Sequence, residues 1–254
     1  TKGKFDIVKC GKCGLAFVSV LPSVAEIADY YNQHGKPTEE RIKTYLGLKS
    51  SRERRNARKL RLLENIQGHK GRLLDIGCGL GLFVKSASDR GWEAEGVDLD
   101  KDMIDYGRET LHVNLHNADL PDVKFPDNHF DAITMFNLLD HIREPKDFLK
   151  EVERILKPGG IIYLNVHDAE GWKAKKNGAN WGAYCPPGHL YYYSHNALKV
   201  LLNEVGLKFF MVPGINMKEG IKMLAVKKDD PRNSGAARKI FEKCVYACVQ
   251  ALKL

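Results

Sequence analysis

One short stretch of the sequence, LLDIGCGLGLF, combines an acidic residue with three glycines spaced two apart. Glycines used in this way let the backbone approach a ligand closely, because they carry no side chain. A phosphate-binding P-loop, G-x-x-x-x-G-K-[ST], needs a Lys-Ser/Thr pair directly after its last glycine, and none of these glycines is followed by one. The dinucleotide fingerprint G-x-G-x-x-G would need a glycine where the chain has Leu82. The pattern [DE]-x-G-x-G-x-G, in contrast, is filled completely by Asp75, Gly77, Gly79 and Gly81.

The elements around this stretch follow a regular rhythm, in which short apolar β-type segments alternate with helical segments. The predicted strands are 72–77, 92–99, 111–119, 130–137, 159–166, 207–214 and 220–228. This alternation indicates an α/β protein with a Rossmann-like, doubly wound, seven-stranded sheet that is mostly parallel. The connection before the last strand is too short for a parallel crossover, so that strand should be antiparallel. The glycines follow the first strand, at the sheet edge where such folds bind ligands.

Five segments resemble the class I S-adenosylmethionine-dependent methyltransferases, and the resemblance extends over about residues 50–228. They are DIGCGLG (75–81), GVDLD (96–100), NADL (117–120), FDAITMFNLLDHI (130–142) and LKPGGIIYLNV (156–166). The resemblance implies an enzyme that binds S-adenosylmethionine and releases S-adenosylhomocysteine. This cofactor has no phosphate, which agrees with the failure of the two phosphate-loop patterns.

The same resemblance implies a cofactor site. Asp75 would help to place the ammonium end of the cofactor, and Asp98 would accept hydrogen bonds from both ribose hydroxyls. Asp119 and its neighbour Leu120 would meet the adenine. Cys78 is expected to be a small filler between glycines rather than a reactive thiol. The complete predicted cofactor set is Asp75, Gly77, Cys78, Gly79, Gly81, Phe83, Asp98, Leu99, Met103, Asp119, Leu120, Phe136 and Asn137.

Two further segments, LLDHIREPKDF and PPGHLYYYSHNAL, concern the methyl acceptor. They resemble the branch that contains quinone-biosynthesis, small-molecule and glycan methyltransferases. The implied reaction is methyl transfer to oxygen or carbon of a small molecule or glycan. His141 and His189 are the predicted catalytic residues, because imidazole can take a proton near neutral pH. Both also have a structural interpretation, and methyl transfer can proceed by alignment alone.

Charge is distributed unevenly along the chain, whose net charge is +8. Residues 1–70 hold 15 Lys and Arg against 7 Asp and Glu, whereas residues 71–254 hold 25 of each class. The basic segment KSSRERRNARKLR (49–61) can contact phosphates, or it can be a solvated helix face with its leucines turned inward. It leaves an RNA methyltransferase as an alternative function, beside a cofactor-binding scaffold without catalysis. The balanced remainder argues against a nucleic-acid partner.

Near the N-terminus, VKCGKCGLAFV places Cys10 and Cys13 in a C-x-x-C-G knuckle. It resembles the end of a zinc-ribbon segment found on some methyltransferases of sugar and cell-envelope gene clusters. Zinc is therefore a possible second cofactor. A structural zinc site needs four ligands and only two are local. A half-remaining zinc knuckle and two plain reduced thiols both fit the sequence.

The chain is expected to divide into three parts. These are an N-terminal extension with the cysteine knuckle (1–48), a methyltransferase domain that binds the cofactor (49–228), and a linker with a C-terminal amphipathic helix (229–254). The helix offers an apolar side for oligomer formation. No segment reaches the roughly 18 apolar residues of a membrane helix, so no membrane partner is expected. Six cysteines in 254 residues do not suggest a disulfide scaffold, which favours the cytoplasm.

Overall fold

The computed structural model describes residues 5–34, 38–211 and 220–252. The strands are β1 (Ile7–Lys9), β2 (Ala16–Val18), β3 (Arg72–Ile76), β4 (Glu93–Asp98), β5 (Asn114–Asn117), β6 (Phe130–Phe136), β7 (Leu156–Val166), β8 (Tyr191–Tyr192), β9 (Leu207–Met211) and β10 (Ile221–Lys227). The helices are α1 (Val24–His34), α2 (Thr38–Gly47), α3 (Lys49–Gln67), α4 (Leu82–Ser88), α5 (Lys101–Tyr106), α6 (Leu120–Val123), α7 (Pro145–Ile155), α8 (Trp172–Asn177), α9 (His195–Glu204) and α10 (Gly235–Leu252). The end of the predicted strand 207–214 and the last two residues of the predicted C-terminal helix lie outside the described residues.

The central sheet has seven strands in the order β5-β4-β3-β6-β7-β10-β9. Its first five strands pair in parallel, whereas β10 is antiparallel to both β7 and β9. The predicted Rossmann-like sheet with an antiparallel last strand is therefore confirmed. Because β3, β4 and β6 are parallel, their carboxyl ends meet at one edge, which is where the glycine loop begins.

Helices cover both faces of this sheet, as the alternation along β3 requires. Leu73 packs on one face with leucines of α3 and with α10, whereas Leu74 packs on the other face with α7 and α9. Both leucines are completely buried. Adjacent residues of a strand point to opposite faces, so a run of apolar residues indicates a strand that is buried on both sides.

A second, smaller sheet joins the N-terminal hairpin to the long connection after β7. Its order is β1-β2-β8, with Ala16 paired to Tyr192 and Phe17 paired to Tyr191. The backbone N–H of Val18 also donates to the carbonyl of Leu190 at 3.0 Å. No strand is predicted between residues 166 and 207, because a two-residue strand leaves no periodic pattern.

The C-terminal helix α10 lies against the rest of the chain. Phe241, Val245 and Val249 are buried in the same cluster as the leucines of α3, while Ile240 is 62% exposed. The predicted oligomer through this helix, and the predicted division at residues 48 and 228, stay predictions. Within the described ranges, no helix is both long and apolar enough to cross a membrane.

Candidate active site

The glycine loop connects β3 to α4 in a conformation that other residues rarely adopt. Gly77, Gly79 and Gly81 have φ angles of +75°, +54° and +75°. A Cβ atom on Gly81 would lie 2.9 Å from Leu115 Cδ2, and one on Gly77 would lie 3.1 Å from Leu138 Cδ1. These positions therefore require glycine both for backbone conformation and for space.

Asp75 provides a buried carboxylate immediately before this loop, where it is 4% exposed. Thr134 of β6 donates its hydroxyl to Asp75 Oδ1 at 2.6 Å. Burial raises the pKa of Asp75 to about 7, although the Thr134 hydrogen bond and the charge of Lys59 lower it in part. A cationic group placed beside this carboxyl would favour its ionised form.

Asp98 lies at the end of the neighbouring strand β4 and also faces the loop. Its Oδ2 accepts the backbone N–H of Gly79 at 2.8 Å, and its Oδ1 accepts that of Asp100 at 2.9 Å. Burial raises the pKa of Asp98, and these two hydrogen bonds lower it in part. Each carboxylate oxygen retains a second lone pair, so Asp98 can still accept from a pair of hydroxyls.

Helix α2 covers the loop from the side. The hydroxyl of Tyr45 would lie 3.5 Å from a Cβ atom on Gly79. The guanidinium carbon of Arg52 lies 4.2 Å from the centroid of the Tyr45 ring, which is a cation–π contact. Arg41 forms an ion pair with Asp100, in the segment that follows β4. Residues 38–47 contain no motif, so neither α2 nor a role for Tyr45 could be predicted from the sequence.

A cavity of about 720 Å³ opens beside Asp75, a volume within the usual range for small-molecule sites. Phe83 and Phe136 meet edge to face in its wall, with ring centroids 5.1 Å apart. The ammonium group of Lys59 lies 3.2 Å from the Phe136 centroid. The predicted cofactor residues that line the cavity are Asp75, Gly77, Cys78, Phe83, Phe136 and Asn137.

Asn137 has an unusual backbone at this edge, with a φ angle of +52°. Its N–H donates to the carbonyl of Asn165 at 3.0 Å. The side-chain amide of Asn165 in turn donates to Asn137 Oδ1 at 2.7 Å. Non-glycine residues in this region are uncommon, and asparagine is among the few that tolerate it. The pair therefore fixes the chain where it leaves β6 beside the cavity.

His167 and Asp140 form the most polar pair near the cavity. His167 Nδ1 lies 2.5 Å from Asp140 Oδ2, and Asp140 is 1% exposed. Burial raises the pKa of Asp140, but the hydrogen bond from His167 and the neighbouring imidazoles outweigh this, so its pKa lies below the ordinary value. An ionised carboxylate can only accept, so His167 donates from Nδ1 and its neutral ring carries its lone pair on Nε2. His167 lines the cavity.

The two histidines predicted to be catalytic lie next to this pair. His141 Nδ1 donates to the carbonyl of Gly188 at 2.7 Å, and His189 Nδ1 donates to that of Ala183 at 2.8 Å. Their ring centroids are 4.5 Å apart, and His189 Nε2 lies 3.9 Å from Asp140 Oδ2. Neither ring lines the cavity. Both therefore lie behind His167 and Asp140 as seen from the cavity.

Burial lowers the pKa of His141. It also lowers that of His189, but the hydrogen bond with Cys185 and the charge of Asp140 outweigh it and leave the pKa raised. His141 and His189 were the predicted catalytic residues, and His167 was not among them. The available signal was its position directly after β7, at the same sheet edge as the glycine loop.

A family model described as a methyltransferase domain matches residues 48–210, a range that contains the glycine loop, Asp75 and His167. The chain belongs to this methyltransferase family. The resemblance to class I S-adenosylmethionine-dependent methyltransferases that the motifs carry is thereby confirmed.

Curated relatives match this methyltransferase over part of their length. A ubiquinone biosynthesis O-methyltransferase of Coxiella burnetii is 29% identical over 117 residues, which are 44% of this chain and 50% of the relative. A demethylmenaquinone methyltransferase of Clavibacter sepedonicus is 34% identical over 97 residues, which are 37% of this chain and 40% of the relative. The chain thus matches about half the length, or less, of these relatives.

Solved structures share the fold of this methyltransferase at low sequence identity. A possible histamine N-methyltransferase of Thermotoga maritima has a TM-score of 0.56 at 18% identity, covering 80% of this chain and 100% of its own. A methyltransferase of Archaeoglobus fulgidus has a TM-score of 0.54 at 19% identity, covering 80% and 88%. Both support the seven-stranded architecture.

The family implies S-adenosylmethionine as cofactor, and the residues of this methyltransferase fit it. The glycine loop keeps its backbone free of side chains beside Asp75, and Gly77 itself lines the cavity. The buried carboxylate of Asp75 suits an ammonium group, and the two oxygens of Asp98 suit a ribose diol. No Lys-Ser/Thr pair directly follows the last glycine, as a phosphate-binding P-loop requires, and this cofactor has no phosphate.

The other predicted cofactor residues lie around the same sheet edge. Leu99 is 71% exposed, and Asp119 is exposed at the beginning of α6, where its Oδ1 accepts the N–H of Leu120 at 2.8 Å. The side chains of Met103 and Leu120 are buried in the core. Contact between these four residues and the cofactor stays a prediction.

Cys78 packs between elements of the core, next to the loop glycines. A Cβ atom on Gly96 of β4 would lie 2.7 Å from Cys78 Sγ. Burial raises the pKa of the Cys78 thiol well above its ordinary value. This environment suits the predicted role of a small filler rather than a nucleophile.

Two groups of side chains bear on metal binding. Asp140, His141 and His189 each bring one ligand atom within 4.8 Å of the others. Cys10 and Cys13, in contrast, belong to no group of three metal-ligating side chains among residues 5–34, 38–211 and 220–252. Backbone hydrogen bonds from Cys13 and Lys12 lower the pKa of Cys10. Zinc at this knuckle therefore stays a prediction.

Proposed function

We propose that this protein transfers a methyl group from S-adenosylmethionine to oxygen or carbon of a small molecule or glycan. The observation that carries the proposal is that Asp75 and His167 line one cavity at the carboxyl edge of the sheet. One can hold the cationic end of the cofactor, and the other can take a proton from the acceptor. The names of the quinone-biosynthesis relatives support an O- or C-methyl acceptor.

Asp75, Asp98 and the glycine loop would hold the cofactor, and Tyr45 would cover it from α2. When bound, S-adenosylmethionine supplies a methyl group already activated by its sulfonium. The chain therefore has two remaining tasks, which are to align the acceptor and to remove its proton. Phe83, Phe136 and the Asn137–Asn165 pair give the cavity a firm wall for alignment.

His167 is the proposed general base. Asp140 fixes its tautomer by accepting from Nδ1, which leaves the Nε2 lone pair for a hydroxyl or an acidic C–H of the acceptor. The protonated ring would then be stabilised by the ionised carboxylate of Asp140. His141 and His189 act as positioning residues, because they surround Asp140 and do not line the cavity.

The proposal is tested first by calorimetry with S-adenosylmethionine, which should bind to the purified protein. Transfer of labelled methyl from the cofactor to a panel of phenols, quinols, sugars and nucleotide sugars then tests the reaction. His167→Gln should abolish transfer and retain cofactor binding. His69→Gln is the matched control, because its side chain is 56% exposed and lies outside the cavity. Absence of cofactor binding would refute the proposal, and binding without turnover on any acceptor would favour a scaffold.

A further inference from the structure

The cavity beside Asp75 has a strongly cationic lining. Six of its lining side chains are Lys or Arg, and two are carboxylates. Four of the cations lie on α3, in the basic segment whose role the sequence left open. They are Arg52, Arg55, Arg58 and Lys59. The other two are Lys173 of α8 and Lys222 of β10, which belong to other walls of the cavity.

Packing fixes the helix α3 from which four of the cations extend. Leu60, Leu62 and Leu63 are completely buried on its inner side. Arg90 donates from Nε to Glu64 Oε1 at 2.8 Å, and this ion pair ties the helix to the end of α4. The backbone of α3 is therefore already in place when a ligand binds, and only the exposed side chains of Arg55 and Arg58 have to be ordered.

Several of these cations have no anionic partner in the part of the chain that the structure describes. Among the residues that the structure describes, Arg55, Arg58 and Lys173 form no ion pair. The two carboxylates of the cavity cannot neutralise its six cations, and neither is ion-paired to these three among the described residues. Asp75 accepts from Thr134, and Asp168 Oδ1 accepts the backbone N–H of Glu170 at 2.9 Å. Like charges that converge on one concave site repel one another until an anion joins them.

The cofactor itself can neutralise only one of the six cations of the cavity. S-adenosylmethionine carries a single α-carboxylate, and Lys59 is the cation whose charge acts on Asp75. Arg55 and Arg58 are one turn of α3 apart on the cavity side, and Lys173 faces the cavity from α8. These three charges exceed what the cofactor needs, so they are available to the acceptor.

We infer that the methyl acceptor is a small molecule that carries a phosphate or diphosphate group, bound by Arg55 and Arg58 of α3 with Lys173 of α8. Arginine binds phosphate through two parallel N–H···O bonds, and phosphate offers more charge and more acceptor oxygens than one carboxylate. The inference rests on the proposed methyl transfer, because it describes the acceptor of that reaction.

The same cations also suit the phosphates of RNA, but their placement favours a small acceptor. They converge on one cavity, whereas nucleic acid requires a basic stripe along a face. Residues 71–254 hold 25 Lys and Arg and 25 Asp and Glu, so the remaining surface has no excess of positive charge to extend the site.

The test measures anion binding by calorimetry on the full chain saturated with S-adenosylhomocysteine, with inorganic pyrophosphate as the probe. The double variant Arg55→Gln/Arg58→Gln should weaken pyrophosphate binding by roughly tenfold or more. Glutamine retains helix propensity, and affinity for S-adenosylhomocysteine should be unchanged. The matched control, Arg54→Gln/Arg61→Gln, removes two arginines of the same helix that do not line the cavity and should bind pyrophosphate like wild type.

Four results would overturn the inference. Wild-type protein that binds S-adenosylhomocysteine but not pyrophosphate is one, and equal weakening by both double variants is another. A third is tighter binding of citrate than of pyrophosphate, which would assign the site to a carboxylate ligand. A fourth is tighter binding of a short single-stranded RNA than of pyrophosphate, with RNA binding lost in both double variants, which would assign the site to RNA. Failure to bind S-adenosylhomocysteine, in contrast, contradicts the proposed methyl transfer itself and is observed separately from the pyrophosphate titration.

Discussion

His167 donates its Nδ1–H to the buried carboxylate of Asp140 at 2.5 Å, across 27 residues of sequence. The pair joins the segment after β6 to the end of β7, two parallel neighbours in the sheet. Because both segments leave the same sheet edge, an acid on one and an imidazole on the other meet beside the cavity. This contact makes Nδ1 the donor and leaves Nε2 as the ring nitrogen that can accept a proton.

Replacing Asp140 with asparagine should remove this control. We expect Asp140→Asn to reduce methyl transfer by roughly 100- to 10,000-fold, because an amide can favour the wrong tautomer of His167. Nitrogen-15 spectra of labelled histidine should report the Nδ1–H form of His167 in wild type and a changed tautomer in the variant. Asp105→Asn, on the surface of α5, is the control and should leave both readouts unchanged. An unaltered His167 spectrum in Asp140→Asn would contradict the assignment.

Cofactor binding should depend on pH through Asp75, whose pKa is about 7 in the unbound protein. Below that value most molecules carry a proton that a cationic ammonium group must displace. Binding of S-adenosylmethionine should therefore tighten from about pH 5.5 to about pH 7.5 and release a proton at the acidic end. Calorimetry in buffers of different ionisation enthalpy measures that proton. Asp75→Asn should bind more weakly and with a flatter pH profile; a wild-type profile that is equally flat would argue against this role.

The same carboxyl should affect the stability of the unbound protein. Its pKa is raised on folding, so between about pH 4 and about pH 7 the folded chain holds a proton that the unfolded chain has lost. Stability from this group is full at acidic pH and falls through that window. Asp75→Asn cannot ionise, so it should melt at a higher temperature than wild type at about pH 8, with the difference shrinking toward pH 4. Thermal melts at both pH values test this, and a variant that melts lower at pH 8 would contradict it.

The glycine loop should not accept a side chain at Gly81. Its φ angle is +75°, and a Cβ atom would lie 2.9 Å from Leu115 Cδ2. We expect Gly81→Ala to reduce the free energy of unfolding by roughly 1–3 kcal/mol and to weaken cofactor binding. Gly182→Ala is the control, because a Cβ atom there meets nothing within 4 Å. Denaturant unfolding should separate the two variants; equal stabilities would show that the loop adapts.

Tyr45 should contribute to cofactor affinity although it lies outside the sequence motifs at the sheet edge. Its hydroxyl lies near Gly79 and its ring stacks with Arg52. Tyr45→Ala should weaken binding of S-adenosylhomocysteine by roughly tenfold, since a partly buried aromatic contact is lost. Tyr246→Ala on α10 removes a tyrosine that is 52% exposed and should bind normally. Calorimetry on the two variants decides, and equal affinities would place Tyr45 outside the site.

The sheet was predictable because its strands are buried on both faces and read as apolar runs. The predicted strand 72–77 and the observed β3 (Arg72–Ile76) differ by one residue. The prediction failed where structure depends on distant partners. The strand β8 exists because the N-terminal hairpin pairs with it, and no local pattern of residues 191–192 carries that information.

The candidate site was predictable on its cofactor side and less so on its acceptor side. Glycine spacing and strand-end acids are local features, so Asp75 and Asp98 stood out in the sequence. His167 did not, because its importance comes from Asp140 in the segment after β6. The arginines of α3 were visible as a basic segment, but their charge alone could not tell a solvated face from a cavity wall.

The three-stranded sheet of β1, β2 and β8 has a practical consequence for engineering this protein. The family match begins at residue 48, which invites a shortened version starting there. That truncation would remove β2 and expose the backbone of β8. The N–H groups of Leu190 and Tyr191 donate to the carbonyl of Asp140 at 2.8 Å and 3.3 Å. A protein cut at the family boundary would therefore lose support beneath its own proposed base, and the removal of α2 would also take Tyr45 away from the glycine loop.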